Sequence, residues 1–182
     1  MDVPTIHAER LDLVSMSPAF MEAVMEDRRA EAEAALGAAI PAERPDEGDL
    51  GFLRRRVEQM RKDPEVQRWL VRALVLREEG AMIGHAGFHG SPGTQGLAAG
   101  KAELGYSVFP EYRGRGYATE AAEALMAWAE SQGIHDFVAS VSPDNAPSLA
   151  IVHKLGFVQT GDQWDEEDGL ELVFELSRRA TV

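Results

Sequence analysis

No cysteine occurs in the 182 residues, which excludes a disulfide framework, a thiolate metal site and acyl transfer through a cysteine nucleophile. Long hydrophobic runs are lacking too. Ala32 to Ile40 and Leu70 to Leu76, among the longest apolar stretches, are too short or too charged to span a bilayer. Met1 to Leu13 has no basic region followed by an apolar block, so a cytoplasmic location and no membrane partner are expected. Positive charge is scarce: 18 Lys plus Arg stand against 31 Asp plus Glu, a formal net charge of -13. Such a field repels a phosphate backbone over most of the surface, which argues against nucleic acid as a partner. It would attract a cationic acceptor such as an amine, and it also keeps a protein dispersed. The apolar fraction of 45% suits an ordinary core, and the length suits one domain over 1–182. No internal repeat is evident.

The spacing predicts a strand over Ile6 to Ser15, then a helical region from about Pro18 to Leu36. A Pro- and Gly-bearing loop follows from Ile40 to Asp49, then a helix from about Leu50 to Lys62. From Trp69 onward the period changes to that of a strand. Leu70 to Glu78, Ala81 to His89 and Lys101 to Phe109, bounded by Glu79-Gly80 and the glycine-rich Gly90 to Gly100, read as an antiparallel meander. A helix from about Gly116 to Gln132 carries Ala121, Leu125 and Trp128 on its apolar side, with Gly133 as a cap. The strand Phe137 to Val141 then implies a right-handed crossover and a parallel pair. Asn145 caps a helix to Leu155, and strands Phe157 to Trp164 and Glu171 to Leu176 flank an acidic turn, Asp165 to Gly169.

The chemistry concentrates in Phe109-Pro110-Glu111-Tyr112-Arg113-Gly114-Arg115-Gly116-Tyr117-Ala118, which leaves a strand and enters a helix. Its glycines let backbone amides approach an anion, the helix start adds unpaired N–H groups, and Arg113 and Arg115 add charge. A P-loop would need lysine followed by Ser or Thr after the last glycine, where Tyr117 and Ala118 stand. A dinucleotide fingerprint would need Gly or Ala at Thr119 and an acidic residue at the far end of the next strand, whereas Asp136 precedes its strand.

Arg113, Gly116 and Ala118 instead meet the pattern Arg/Gln-x-x-Gly-x-Gly/Ala. With Ala102-Glu103-Leu104-Gly105-Tyr106, Thr119-Glu120-Ala121, Asn145-Ala146-Pro147-Ser148 and Lys154-Leu155-Gly156-Phe157, nearly the whole chain resembles the GNAT superfamily of acetyltransferases. The resemblance is closest to its RimJ/RimL-type N-acetyltransferase branch. It implies an α+β fold whose central mixed, mostly antiparallel sheet has six to seven strands, one parallel splayed pair and about four flanking helices. It also implies acetyl-CoA as cosubstrate, no metal, and direct attack by a primary amine, either a protein or peptide N-terminus or a small molecule. A homodimer is compatible with it, and a non-catalytic acetyl-CoA sensor is the competing reading.

On that resemblance, the amides from Arg113 and Gly114 through Arg115, Gly116, Tyr117 and Ala118 to Thr119 hold the pyrophosphate. Val108 and Phe109 pair with the pantetheine arm, and a backbone amide near them stabilises the oxyanion. Asn145 and Ser148 lie beside the same arm, Asn145 also serving as a helix cap. Glu103 is the expected base, on one strand face with Gly105 and Ser107. The tyrosine that many members carry two residues before this lysine is Val152 here, which leaves Ser148 or water to protonate the thiolate. His85 and His89 share a strand face, but four strand residues span roughly 13 Å, so no metal site is indicated. His89 reads as an ordinary histidine near the acceptor cleft, Trp128 as core, Trp164 as either core or stacking site, and Asp165 to Asp168 as a charged turn.

Overall fold

In the computed structural model, which describes residues 3–94, 99–166 and 169–179, the chain forms strands β1 (Ile6–His7), β2 (Leu11–Ser15), β3 (Arg72–Leu76), β4 (Ala81–Phe88), β5 (Lys101–Val108), β6 (Asp136–Val141), β7 (Val158–Asp165) and β8 (Gly169–Ser177). The helices are α1 (Pro18–Met25), α2 (Arg29–Leu36), α3 (Glu47–Lys62), α4 (Tyr117–Ser131) and α5 (Ala146–Lys154). The strands make one sheet in the order β1-β2-β3-β4-β5-β6-β8-β7. All neighbours are antiparallel except β5 and β6, which are parallel. No described helix is long and apolar enough to cross a membrane.

Strand alternation divides the core between two faces. Leu74 and Leu76 of β3 join Leu11, Leu104, Phe137 and the α4 residues Leu125 and Met126. Ala73 and Val75, on the other face, join Phe20, Met21, Leu53 and Met60 from α1 and α3. A fully buried Leu, Phe or Met stabilises by about 1.5–3 kcal/mol, so both sheet faces depend on their helices. Arg72 is buried on β3, where its guanidinium donates to the carbonyls of Pro4 and Arg68 and lies 5.2 Å over the Trp128 ring. Burial pulls its pKa down to about 10. Trp128 is accordingly a core residue, packed 4.8 Å from Trp69.

The element count exceeds expectation, with eight strands and five helices among the described residues. The segment Ile6 to Ser15 is not one strand: Ala8 N donates to Leu11 O and folds it into a hairpin, with no glycine or proline to signal the turn. The helical region Pro18 to Leu36 is likewise broken, because Asp27 takes a positive φ of 57°. The third helix begins earlier than its apolar period suggests, since Asp46 and Asp49 form a reciprocal capping box there. The glycine-rich connection and the acidic turn include residues 95–98 and 167–168, which lie outside the described residues.

His85 on β4 stacks on Phe52 of α3, ring centroids 4.8 Å apart. Burial, reinforced by Arg56 and Arg44 and opposed by Asp49, lowers its pKa from 6.5 to about 4. The folded state therefore keeps His85 neutral where the unfolded chain protonates it. Stability should fall as pH drops from 6.5 toward 4, by up to about 3 kcal/mol. Urea unfolding at pH 7 and pH 5 checks this: His85→Gln should lose markedly less stability between the two than the wild type.

Candidate active site

The parallel pairing of β5 with β6 extends only over Lys101–Glu103 against Asp136–Val138. Beyond it β5 stays with β4 to Val108, and β6 stays with β8 to Val141. The two strands therefore splay, and the gap carries three cavities that share walls. The first, about 620 Å³, is lined by Val108, Arg113, Gly114, Gly116 to Thr119, Asn145, Ser148 and Lys154. A middle cavity of about 350 Å³ is lined by His89, Gly105, Ser140, Asn145 and Ser148. The third, about 230 Å³, lies under α3 among Phe52, Arg56, His85, Gly87, His89 and Glu171. Tyr106 borders all three.

The first cavity is a cradle because of its backbone. Gly114 and Gly116 hold φ of 75° and 83°, and Gly116 caps α4. The amides of Tyr117, Ala118 and Thr119 occupy the first helical turn, where no intrahelical acceptor exists. Together with the positive end of the helix they favour an anion. The loop is clamped from behind: Glu120 accepts from Arg10 N at 2.6 Å, Arg10 Nε at 2.7 Å and Leu11 N at 3.2 Å, while Arg10 Nη1 donates to Arg115 O at 3.0 Å. Glu120→Ala leaves the enclosed Leu11 N–H without its acceptor, a cost of about 1–3 kcal/mol. It should lower Tm by roughly 5 °C and weaken acetyl-CoA binding about tenfold, as read by thermal unfolding and calorimetry.

The expected site residues are not all on this cavity. Arg113 borders it, but its Nε donates back to Val108 O at 2.8 Å. The Arg115 side chain turns away, donating to Glu111 O and lying 5.8 Å over Tyr112. Phe109 packs on the opposite side, beside an apolar cavity of about 30 Å³ that is too small for a cofactor. Its amide donates to Ile83 O at 2.9 Å and is unavailable to an oxyanion, which corrects one of the two expected donors. The register decides the other. Phe109 and His89 N–H groups span the β4–β5 seam to Ile83 O and Glu103 O, so the amides of Tyr106 and Val108 point the opposite way, into the splay. Asn145 caps α5, accepting from Ser148 N at 3.2 Å, while both residues line the groove.

Glu103 sits behind the groove rather than on its wall, and its partners His89 and Ser140 form that wall. Ser140 Oγ donates to Glu103 Oε1 at 2.6 Å, and His89 Nδ1 lies 3.5 Å from Oε2. Burial pushes the Glu103 pKa up, but His89 and Ser140 outweigh it, so the carboxyl stays below its usual range and is ionised at neutral pH. His89 Nε2 lies 2.8 Å from where a Cβ on Gly105 would stand, so only glycine lets the ring lean over this strand. Val152 is buried where many family members carry tyrosine, and His153 packs its ring against Phe174. Tyr106 supplies a hydroxyl nearby: the group is enclosed and faces Ser148 without closing a hydrogen bond of normal geometry, and burial, opposed by Ser148, pushes its pKa up and keeps it protonated. Trp164 is exposed on β7. Among the described residues, no cluster of His, Asp and Glu is placed to hold a metal ion.

A mixed sheet with one splayed parallel pair and a helix-start anion cradle defines the acetyltransferase class. The chain belongs to the acetyltransferase (GNAT) domain family, whose profile matches residues 10–158. An uncharacterized N-acetyltransferase of Bacillus subtilis, YnaD, is 29% identical over 104 residues, covering 52% of this chain and 58% of that protein. The matched stretch thus spans little more than half the length of that relative. A putative GNAT-family acetyltransferase from Bordetella pertussis shares the fold with a TM-score of 0.67 and 23% identity, covering 96% of this chain and 99% of that one. Mycobacterium smegmatis RimJ, solved with CoA-disulfide, gives a TM-score of 0.66 at 21% identity over 96% of this chain and 88% of that one.

Proposed function

We propose that this chain moves the acetyl group of acetyl-CoA to a primary amine by direct attack in a ternary complex. The observation that carries this reading is the row of three adjoining cavities from the Gly114–Thr119 cradle to the one faced by His89, all bordered by Tyr106. Pyrophosphate rests on the amides of Gly116 to Thr119, with Arg113 and Lys154 at the rim, and the pantetheine arm follows Val108, Asn145 and Ser148 through the splay. The thioester then meets the amine between β5 and β6.

Glu103 provides the basic charge, but it reaches the substrate through the side chains in front of it. His89 takes the ammonium proton at the groove, and the ionised Glu103 stabilises the resulting imidazolium. The freed amine attacks the thioester carbon, the Val108 N–H stabilises the developing oxyanion, and the C–S bond breaks. Tyr106, protonated and facing Ser148, donates to the departing thiolate, and its phenolate then takes the second proton from the newly formed amide nitrogen. This gives the acid role to a strand residue in place of the one lost at Val152.

Steady-state CoA release across a panel of amines, including peptides with free N-termini, tests the reading. Turnover with at least one amine is expected. Acetyl-CoA binding with no turnover on any amine would sink the transferase assignment and leave a cofactor-binding module.

A further inference from the structure

We propose that the acceptor carries a carboxylate a few bonds from its amine, as a free amino acid does, and that Arg56 binds that carboxylate. The proposal rests on the transferase reading, which makes the cavity under α3 the acceptor's end of the groove.

Arg56 is held in place more firmly than a surface arginine. Its Nη1 donates to Gln59 Oε1 at 2.9 Å and His89 O at 3.3 Å, and Gln59 Nε2 donates to the same carbonyl at 3.2 Å. The guanidinium lies 5.1 Å over the Phe52 ring. Yet its charge is unanswered. Among the described residues no carboxylate pairs with it, its Nε is enclosed without an acceptor, and burial, with Arg55 adding to it, lowers its pKa. Arg72 is the other such cation: its Nε is also enclosed without an acceptor, and its guanidinium meets backbone carbonyls and the Trp128 face, but it borders none of the groove cavities, whereas Arg56 opens on one. A half-buried guanidinium that borders a cavity and has no carboxylate beside it among the described residues gains from an anion entering that cavity, so its counter-ion is expected from outside the chain.

The rest of the cavity selects the kind of anion. Glu171, bonded to Gln163 Nε2 at 3.0 Å, borders the same space, as does His89 with Glu103 behind it. One cavity thus presents a cation on α3 and negative charge on β8 and β5, which matches a zwitterion with its ammonium toward His89 and its carboxylate toward Arg56. The two poles are close, because the residue whose carbonyl receives Arg56 is the residue whose ring faces Glu103. At about 230 Å³ the space lies below the roughly 300–1,000 Å³ of pockets for drug-sized ligands, which favours a small acceptor. Phe52, Val71 and Phe88 give it an apolar wall for an uncharged side chain. A peptide N-terminus would set a neutral amide against Arg56.

Calorimetric titration of leucine against leucinamide, and methionine against methioninamide, tests this in wild type, Arg56→Met and Arg56→Lys. The wild type should bind the free acids at least tenfold more tightly than the amides. Arg56→Met should bring the ratio close to one by weakening the acids alone, and Arg56→Lys should retain part of it. Equal binding of acid and amide by the wild type, no binding of the acids, or an unchanged ratio in Arg56→Met would overturn the proposal. The wild-type ratio needs no variant to fold. CoA release measured in parallel separates the two readings: its absence with every amine would sink the transferase assignment, whereas the acid-to-amide ratio decides the carboxylate site by itself.

Discussion

Glu103→Gln should lower kcat for amine acetylation by about 10²–10⁴-fold, the range lost when a positioned proton-transfer system is disabled, while acetyl-CoA affinity changes less than twofold. The substitution is nearly isosteric, and a glutamine oxygen can still accept the Ser140 hydroxyl that sits 2.6 Å from Glu103. What it removes is the negative charge facing His89 at 3.5 Å. The imidazolium formed when His89 takes the ammonium proton then loses its stabilisation. Glu103 borders none of the three groove cavities, so the cofactor should not sense the change. A purely structural role and a proton-transfer role differ in their pH response. If proton removal is the defect, the gap between variant and wild type narrows as pH approaches the acceptor's own pKa, where the amine arrives neutral. A deficit that stays constant with pH, or a fall in acetyl-CoA affinity matching the fall in rate, would remove Glu103 from proton transfer. Because folding lowers the Glu103 pKa, its ionisation stabilises the native state above the ordinary carboxyl range and ceases to do so as the folded group protonates in acid. Near neutral pH the variant should therefore show a small drop in Tm alongside a large drop in rate.

The parts of this site that could be read along the chain are those governed by local backbone chemistry. The glycines at 114 and 116 announce the turn because only such residues hold a positive φ without strain. Asn145 announces a helix start because its side chain can replace a missing acceptor. The meander and the parallel pair follow from period and connection length in the same way. The rest depends on contacts distant in sequence. Glu103 could be singled out, but its place behind His89 and Ser140 comes from cross-strand register and from the splay of β6. Arg56 looks like one more charge on an amphipathic helix until the His89 carbonyl meets it from 33 residues away. Tyr106 lies within a recognisable block, yet the enclosure of its hydroxyl beside Ser148 is a property of packing. A glycine inside a strand marks a close approach, and Gly105 is such a local signal: the His89 ring leans over it, as backbone meets Gly84 and Gly87 on β4. The breaks at Ala8 to Arg10 and at Asp27 had no glycine or proline to mark them, so tertiary packing alone reveals them.

Gly116→Val should raise the acetyl-CoA Kd by about 10²–10⁴-fold and leave the fold assembled. The argument turns on φ rather than on a clash, for a Cβ at this position would meet only Arg10 Nη2, at an ordinary 3.5 Å. Valine at a φ of 83° is strained by about 1–2 kcal/mol. Relaxing it rotates the peptide that carries the Tyr117 N–H, at the place where α4 opens on the cavity. Hydrogen bonds to a charged group are worth about 1.5–3 kcal/mol each, so losing two of them from a pyrophosphate corresponds to that change in Kd. The core does not depend on this peptide: Ala121, Leu125 and Met126 hold α4 against the sheet from the next turns onward, and Glu120 ties its start to Arg10. Circular dichroism should therefore match the wild type, with Tm lowered by only a few degrees. Because the defect is in donor binding, saturating acetyl-CoA should restore much of kcat, the opposite of the Glu103→Gln pattern. An acetyl-CoA Kd within threefold of wild type would show that the pyrophosphate is held elsewhere, and the cradle assignment would fall with it.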